Sequence, residues 1–138
     1  MKTRVLLDTN VVLDVLLSRQ PHFTASAAVC AAVENGKAEG LLAAHAVTTI
    51  HYLVSRQLGE AGANQALGSL LQLFDVAPVD GAVLQRALRV SGPDFEDSVT
   101  AAAAHASVCH LIVTRDPKGF RRSPVPVMNP AEALPLLR

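Results

Sequence analysis

The chain has 138 residues, half of them apolar, with twelve basic residues balancing twelve acidic ones. That supplies one well-packed core and points to a single domain over residues 1–138. The balance excludes a protein that grips nucleic acid mainly by neutralising many phosphates, so any such contact must be local.

The first element expected is a buried strand at 3–7 (TRVLL), a short apolar run closing on Asp8. Asn10 can cap a short helix whose apolar face is Val11, Val12, Val15 and Leu16, with Asp14 within it and Pro21 beyond its end. Residues 22–35 are alanine-rich and stop at Gly36, which predicts a helix with a glycine terminator. A second strand is expected at 40–44, then helices over 45–58 and 60–74 separated by Gly59. A third strand at 76–79 is shortened by Pro78. Asp80 opens a helix to about Val90, and Ser91-Gly92-Pro93 breaks the chain.

Asp94 then opens a helix whose body is the alanine run 101–104. A fourth strand follows at 110–114, a fifth at 124–128, and Pro130 starts a terminal helix. Short apolar strands alternating with helices predict an α/β sandwich around a parallel sheet of four to five strands. Ligands of such sheets gather at the carboxyl ends of the strands, where Asp8 and Asp116 stand.

Cys30 and Cys109 belong to no CxxC pair, so zinc and a disulfide framework are not expected, and both read as small buried hydrophobes. The five histidines form no HxxxH or HExxH pattern and read as ordinary surface or core residues. The start of the chain resembles neither a signal peptide nor a spanning helix, so the expectation is a cytoplasmic protein without a membrane partner.

The acids carry the chemistry. Asp94, Glu96 and Asp97 fall within four positions at the start of one helix, where acids also serve simply to complement the helix dipole. Asp8 and Asp116, at strand ends, can join them. Gathered carboxylates repel and call for a cation, and an all-oxygen set selects a hard ion such as Mg²⁺ or Mn²⁺. Such an ion suits phosphodiester hydrolysis. The metal-ligand candidates are Asp8, Asp94, Glu96, Asp97 and Asp116, with Asp8, Glu96, Asp97 and Asp116 as the catalytic set. Asp14 either faces this cluster from behind or faces solvent.

Asn10 and Thr114 place polar groups beside the strand-end aspartates, while Arg115, Lys118, Arg121 and Arg122 concentrate positive charge. Asn10, Thr114, Arg115 and Lys118 are therefore the candidate substrate contacts, Arg115 and Lys118 for phosphates. One Tyr, four Phe and no Trp leave few platforms for base stacking.

The blocks VLLDTNVVLD at 5–14, DFEDSVTAAAAHA at 94–106 and IVTRDPKGF at 112–120 resemble the PIN-domain family, in particular small bacterial VapC-like toxins. The resemblance spans essentially the whole chain. It implies a PIN-type α/β/α sandwich and Mg²⁺- or Mn²⁺-dependent RNA cleavage, with Asp8, Asp97 and Asp116 as acidic ligands and Asp94 and Glu96 as their neighbours. It also implies a cognate antitoxin and a homodimer. Many members carry a further acid in the helix after strand two; VTTIHYLVSR at 47–56 has none, and Thr49 is the counterpart, with His51 nearby.

A phosphatase of the haloacid-dehalogenase type also begins with a strand-end Asp but needs an acid where Asn10 stands. A receiver domain wants adjacent acids early in the chain, and Arg4 and Leu7 do not supply them. A catalytically weak or silent PIN-fold module that binds RNA or a protein partner is the remaining alternative, supported by Thr49.

Overall fold

The computed structural model describes residues 2–90 and 92–137; Ser91, part of the expected break, lies outside them. Five strands, β1 (Thr3–Leu7), β2 (Ala38–Ala43), β3 (Asp75–Ala77), β4 (Leu111–Val113) and β5 (Val127–Met128), form one sheet in the order β3-β2-β1-β4-β5. Every pairing is parallel. All strands therefore end at one edge, and the order reverses between β1 and β4, the place where such sheets open a crevice.

Helices α1 (Thr9–Leu16), α2 (Phe23–Glu34), α3 (Ala44–Leu73), α4 (Gly81–Val90), α5 (Phe95–Ala106) and α6 (Pro130–Ala133) flank the sheet. The result is the expected α/β/α sandwich. Leu6, Leu7, Leu42, Ile50 and Ile112 are fully buried at its centre. Strands covered on both faces read as continuous apolar runs, which is why period-two patterning is absent from them.

Pairing moves several ends. β2 begins at Ala38, two residues before the expected strand, because Thr3↔Ala38 and Arg4↔Glu39 are in register and Arg4 Nη1 lies 2.6 Å from Glu39 Oε2. β3 stops at Ala77, where Pro78 offers no amide to a neighbour. β5 is shorter than expected, since only Ile112↔Val127 and Val113↔Met128 pair with it, and β4 is confined to Leu111–Val113, the residues that pair with β1. Asp8, not Asn10, caps α1, because its carboxylate accepts from the Thr9 amide. Gly40 has no Cβ to spare: one there would lie 2.5 Å from the Phe74 ring and 2.8 Å from Val33.

Gly59 breaks α3 with φ 75° and ψ 170°, a conformation open to glycine, so the predicted limbs 45–58 and 60–74 are real. The limbs fold toward one another, and His51 Nε2 sits 2.6 Å from Asn64 Oδ1. Asp80 and Asp94 cap α4 and α5 through Val83 and Asp97 amides, and Asn129 and Glu132 form a capping box on α6. In α5 every residue from Ser98 to Ala104 is buried. Four consecutive alanines let this helix approach the sheet closely, which fixes where its acidic first turn emerges.

No described helix is long and apolar enough to cross a membrane. The cysteines are unbridged; Cys109 is buried, but Cys30 is only half-buried, because the face of α2 that carries it borders an open apolar groove.

Candidate metal centre

Asp8 leaves β1 directly into α1 at the carboxyl edge and is 8% exposed. One carboxylate oxygen accepts from the Thr9 amide at 2.9 Å and the other from the Thr114 hydroxyl at 2.8 Å. Thr114 follows β4 and is fully buried. Its oxygen also accepts from the Asp116 amide at 3.1 Å and the Asn10 side-chain amide at 3.4 Å. Asn10 Oδ1 in turn accepts from the Arg115 amide at 3.3 Å. Of the candidate substrate contacts, Asn10 and Thr114 thus knit the β1 and β4 exits together, and burial keeps Thr114 away from solvent.

Because α5 precedes β4, its N-terminus lies at this same edge. Carboxylate oxygens of Asp8, Glu96 and Asp97 come within 4.8 Å of one another, the geometry of a cation site. Asp97 is half-buried, Glu96 exposed. Burial pushes the Asp97 carboxyl up from 3.8 to about 7, and the negative charges of Asp8, Asp94, Glu96 and Asp116 add to the shift. Burial also raises Asp8, opposed by the bonds from Thr114 and Thr9 and by His45. Such mutual repulsion is what a bound divalent cation relieves, and the all-oxygen donor set fits a hard ion. Asp94 and Asp116 are exposed and stand outside the three-carboxylate group, although their charge reaches Asp97. Gly119 cradles Asp97: a Cβ there would fall onto the carboxylate.

Two placements were not legible along the chain. Asp14 does not face solvent: it is fully buried, with Oδ2 2.6 Å from Arg115 Nε and 3.3 Å from the Ser26 hydroxyl. His45, read as ordinary, lies beside Asp8, with Nε2 3.3 Å from the Thr100 hydroxyl and Nδ1 buried without a hydrogen-bond partner among the described residues. No spacing motif announces it, since its neighbours come from β1 and α5. Lys118, Arg121 and Arg122 are exposed on the loop after β4.

A family model for the PIN domain matches residues 4–118. The chain belongs to the PIN-domain family. The PIN fold recurs in FitAcB from Neisseria gonorrhoeae, with TM-score 0.73 and 24% identity over 92% of this chain and 98% of that one. VapBC2 from Rickettsia felis, crystallised with a promoter DNA fragment, aligns at TM-score 0.69 and 14% identity, covering 92% and 98% of the two chains. VapC20 from Mycobacterium tuberculosis, described as a sarcin-ricin loop cleaving toxin, aligns at 0.67 and 14%, covering 84% and 92%. Comparison with curated proteins gives no match. Within this PIN domain, Thr49 lies exposed on α3, one turn beyond His45 on the same helical face.

Proposed function

We propose that this PIN domain is a Mg²⁺- or Mn²⁺-dependent ribonuclease that hydrolyses RNA phosphodiester bonds, and that it is the toxin of a type II toxin–antitoxin pair. The observation that carries the catalytic reading is the convergence of Asp8, Glu96 and Asp97 within 4.8 Å at the carboxyl edge of a PIN fold. In this reading Asp8, Glu96 and Asp97 hold the cation, with Asp94 and Asp116 beside them. When bound, the ion supplies positive charge against the phosphodiester and activates water for in-line attack at phosphorus.

The chain's own groups do the rest. Asp8 arrives fixed, because the Thr9 amide and Thr114 hydroxyl occupy one lone pair on each oxygen and leave others for an ion. Asp97, its carboxyl raised to about 7 by burial and the neighbouring charges, would hold the ion in its deprotonated form. Arg115 and Lys118 hold substrate phosphates; Arg115 is the better fixed of the two, since Asp14 pins its guanidinium.

The toxin reading is supported by the structural neighbours, which include a toxin–antitoxin complex from Klebsiella pneumoniae. By that likeness the partners are an antitoxin protein and a second copy of the chain, in the cytoplasm. A second reading, a weak or silent RNA- or protein-binding module, is favoured by the absence of an acid between residues 47 and 56.

The deciding experiment incubates purified protein with a generic single-stranded RNA, with Mg²⁺, Mn²⁺ or EDTA. Cleavage is expected only with the ions, and Asp8→Asn is expected to lower it by roughly 100-fold or more, beyond the effect of losing an outer partner. Absence of cleavage with every divalent ion tried would establish the silent module instead.

A further inference from the structure

At the carboxyl edge, where β4 and β5 end, lies a cavity of about 340 Å³. Its walls include His22 and Ser26 of the α2 start, Arg115 after β4, and Asn129 and Pro130 after β5. No carboxylate lines it. Its one cationic group is the Arg115 guanidinium, whose charge Asp14 partly offsets from behind the wall.

That guanidinium is built in. Asp14 is fully buried and lies 2.6 Å from Arg115 Nε, while the Arg115 side chain is 28% exposed. Ser26, also fully buried, bonds Asp14 from the other side at 3.3 Å. Asn10 and Asp14, one turn apart on α1, grip the Arg115 amide and guanidinium respectively. Among the described residues no directed hydrogen bond takes an N–H of this guanidinium. A buried carboxylate thus holds in place a guanidinium that lines the cavity, a group whose fork of donors recognises planar or tetrahedral oxyanions. Arg115 also follows Thr114, which bonds Asp8, so one wall residue of the cavity is a single position along the chain from a partner of the cluster.

We infer that this cavity is a phosphate subsite that takes a backbone phosphate of the nucleotide flanking the cleaved bond, with Arg115 as its ligand and Asp14 as the residue that positions Arg115. The assignment of the phosphate to RNA rests on the ribonuclease reading; the affinity of the cavity for phosphate does not.

The test uses the whole chain in EDTA, with adenosine 5′-monophosphate as probe and amide NMR shifts as readout. Saturable shifts are expected at Ser26, Arg115 and Ala131, reversed by inorganic phosphate. Arg115→Gln should weaken binding by roughly tenfold or more, and Asp14→Asn by a smaller factor, because the fork remains but is no longer held. Because either change disturbs a buried pair, Ala25→Glu is the independent variant: it adds a carboxylate to the cavity wall, leaves the pair intact, and should likewise weaken binding roughly tenfold. Shifts that fail to saturate, or that persist in Ala25→Glu and Arg115→Gln, overturn the subsite. Binding without RNA cleavage would leave the subsite standing and remove the ribonuclease reading. Cleavage whose KM is unchanged in Ala25→Glu would remove the subsite and leave the ribonuclease.

Discussion

Asp97 shows how strongly one residue reports on the cluster around it. Its carboxyl is raised from 3.8 to about 7, first by burial and then by the surrounding negative charges. The folded, metal-free chain therefore holds a proton that the unfolded chain has already released over that interval. The stability tied to that proton is complete below about pH 4 and is lost as pH rises through about 7. In EDTA, Tm is expected to fall across this range, and Asp97→Asn to flatten the fall, which a pH series of thermal melts checks. The same proton competes with a cation, so Mn²⁺ affinity measured by calorimetry should rise as pH passes about 7. Gly119→Ala supplies a second reading of this position: its methyl displaces the Asp97 carboxylate and is expected to weaken Mn²⁺ binding by roughly tenfold, in the range of a disturbed outer partner.

At the scale of elements, the site depends on two junctions. The exit of β4 is tied to the entry of α1 through Thr114, whose hydroxyl serves Asp8, Asn10 and the Asp116 amide. Thr114→Val keeps the shape but leaves a buried Asp8 oxygen short of a partner, a loss of about 1–3 kcal/mol in a urea unfolding series. The other junction is α5 against the sheet. Ala103 is fully buried, and Ala103→Leu overpacks that contact at about 1–3 kcal/mol. It should also reduce metal affinity, because Glu96 and Asp97 ride on the same helix. The break at Gly59 was legible from glycine alone, whereas the early start of β2 was not, because Glu39 joins the sheet through its pairing with Arg4 rather than through apolar character.

For the whole molecule, the parallel sheet turns sequence-distant strand ends into one edge with two neighbouring environments, one acidic and one lined by Arg115. A divalent cation bound only by the folded chain stabilises it by about 2.7 kcal/mol at a hundredfold excess over Kd. For a domain of this size that is a rise in Tm of roughly 5–15 °C, absent in Asp8→Asn, which differential scanning calorimetry resolves. With equal numbers of acidic and basic residues, the molecule has no global field to steer RNA, so binding has to come from such local features.

The amino-acid sequence by itself determined the layered α/β class, the strand-end positions of Asp8 and Asp116, and the acidic first turn of α5. These follow from local signals: short apolar runs, caps, glycine stops and the order in which they occur. Only the tertiary structure brings carboxylate oxygens of Asp8, Glu96 and Asp97 within 4.8 Å of one another, sets Asp14 against Arg115, and puts His45 within electrostatic reach of Asp8. Strand order and helix packing set those distances, and residues such as Asp14 and Arg115, about a hundred positions apart, meet only when α1 and the β4 exit are packed together.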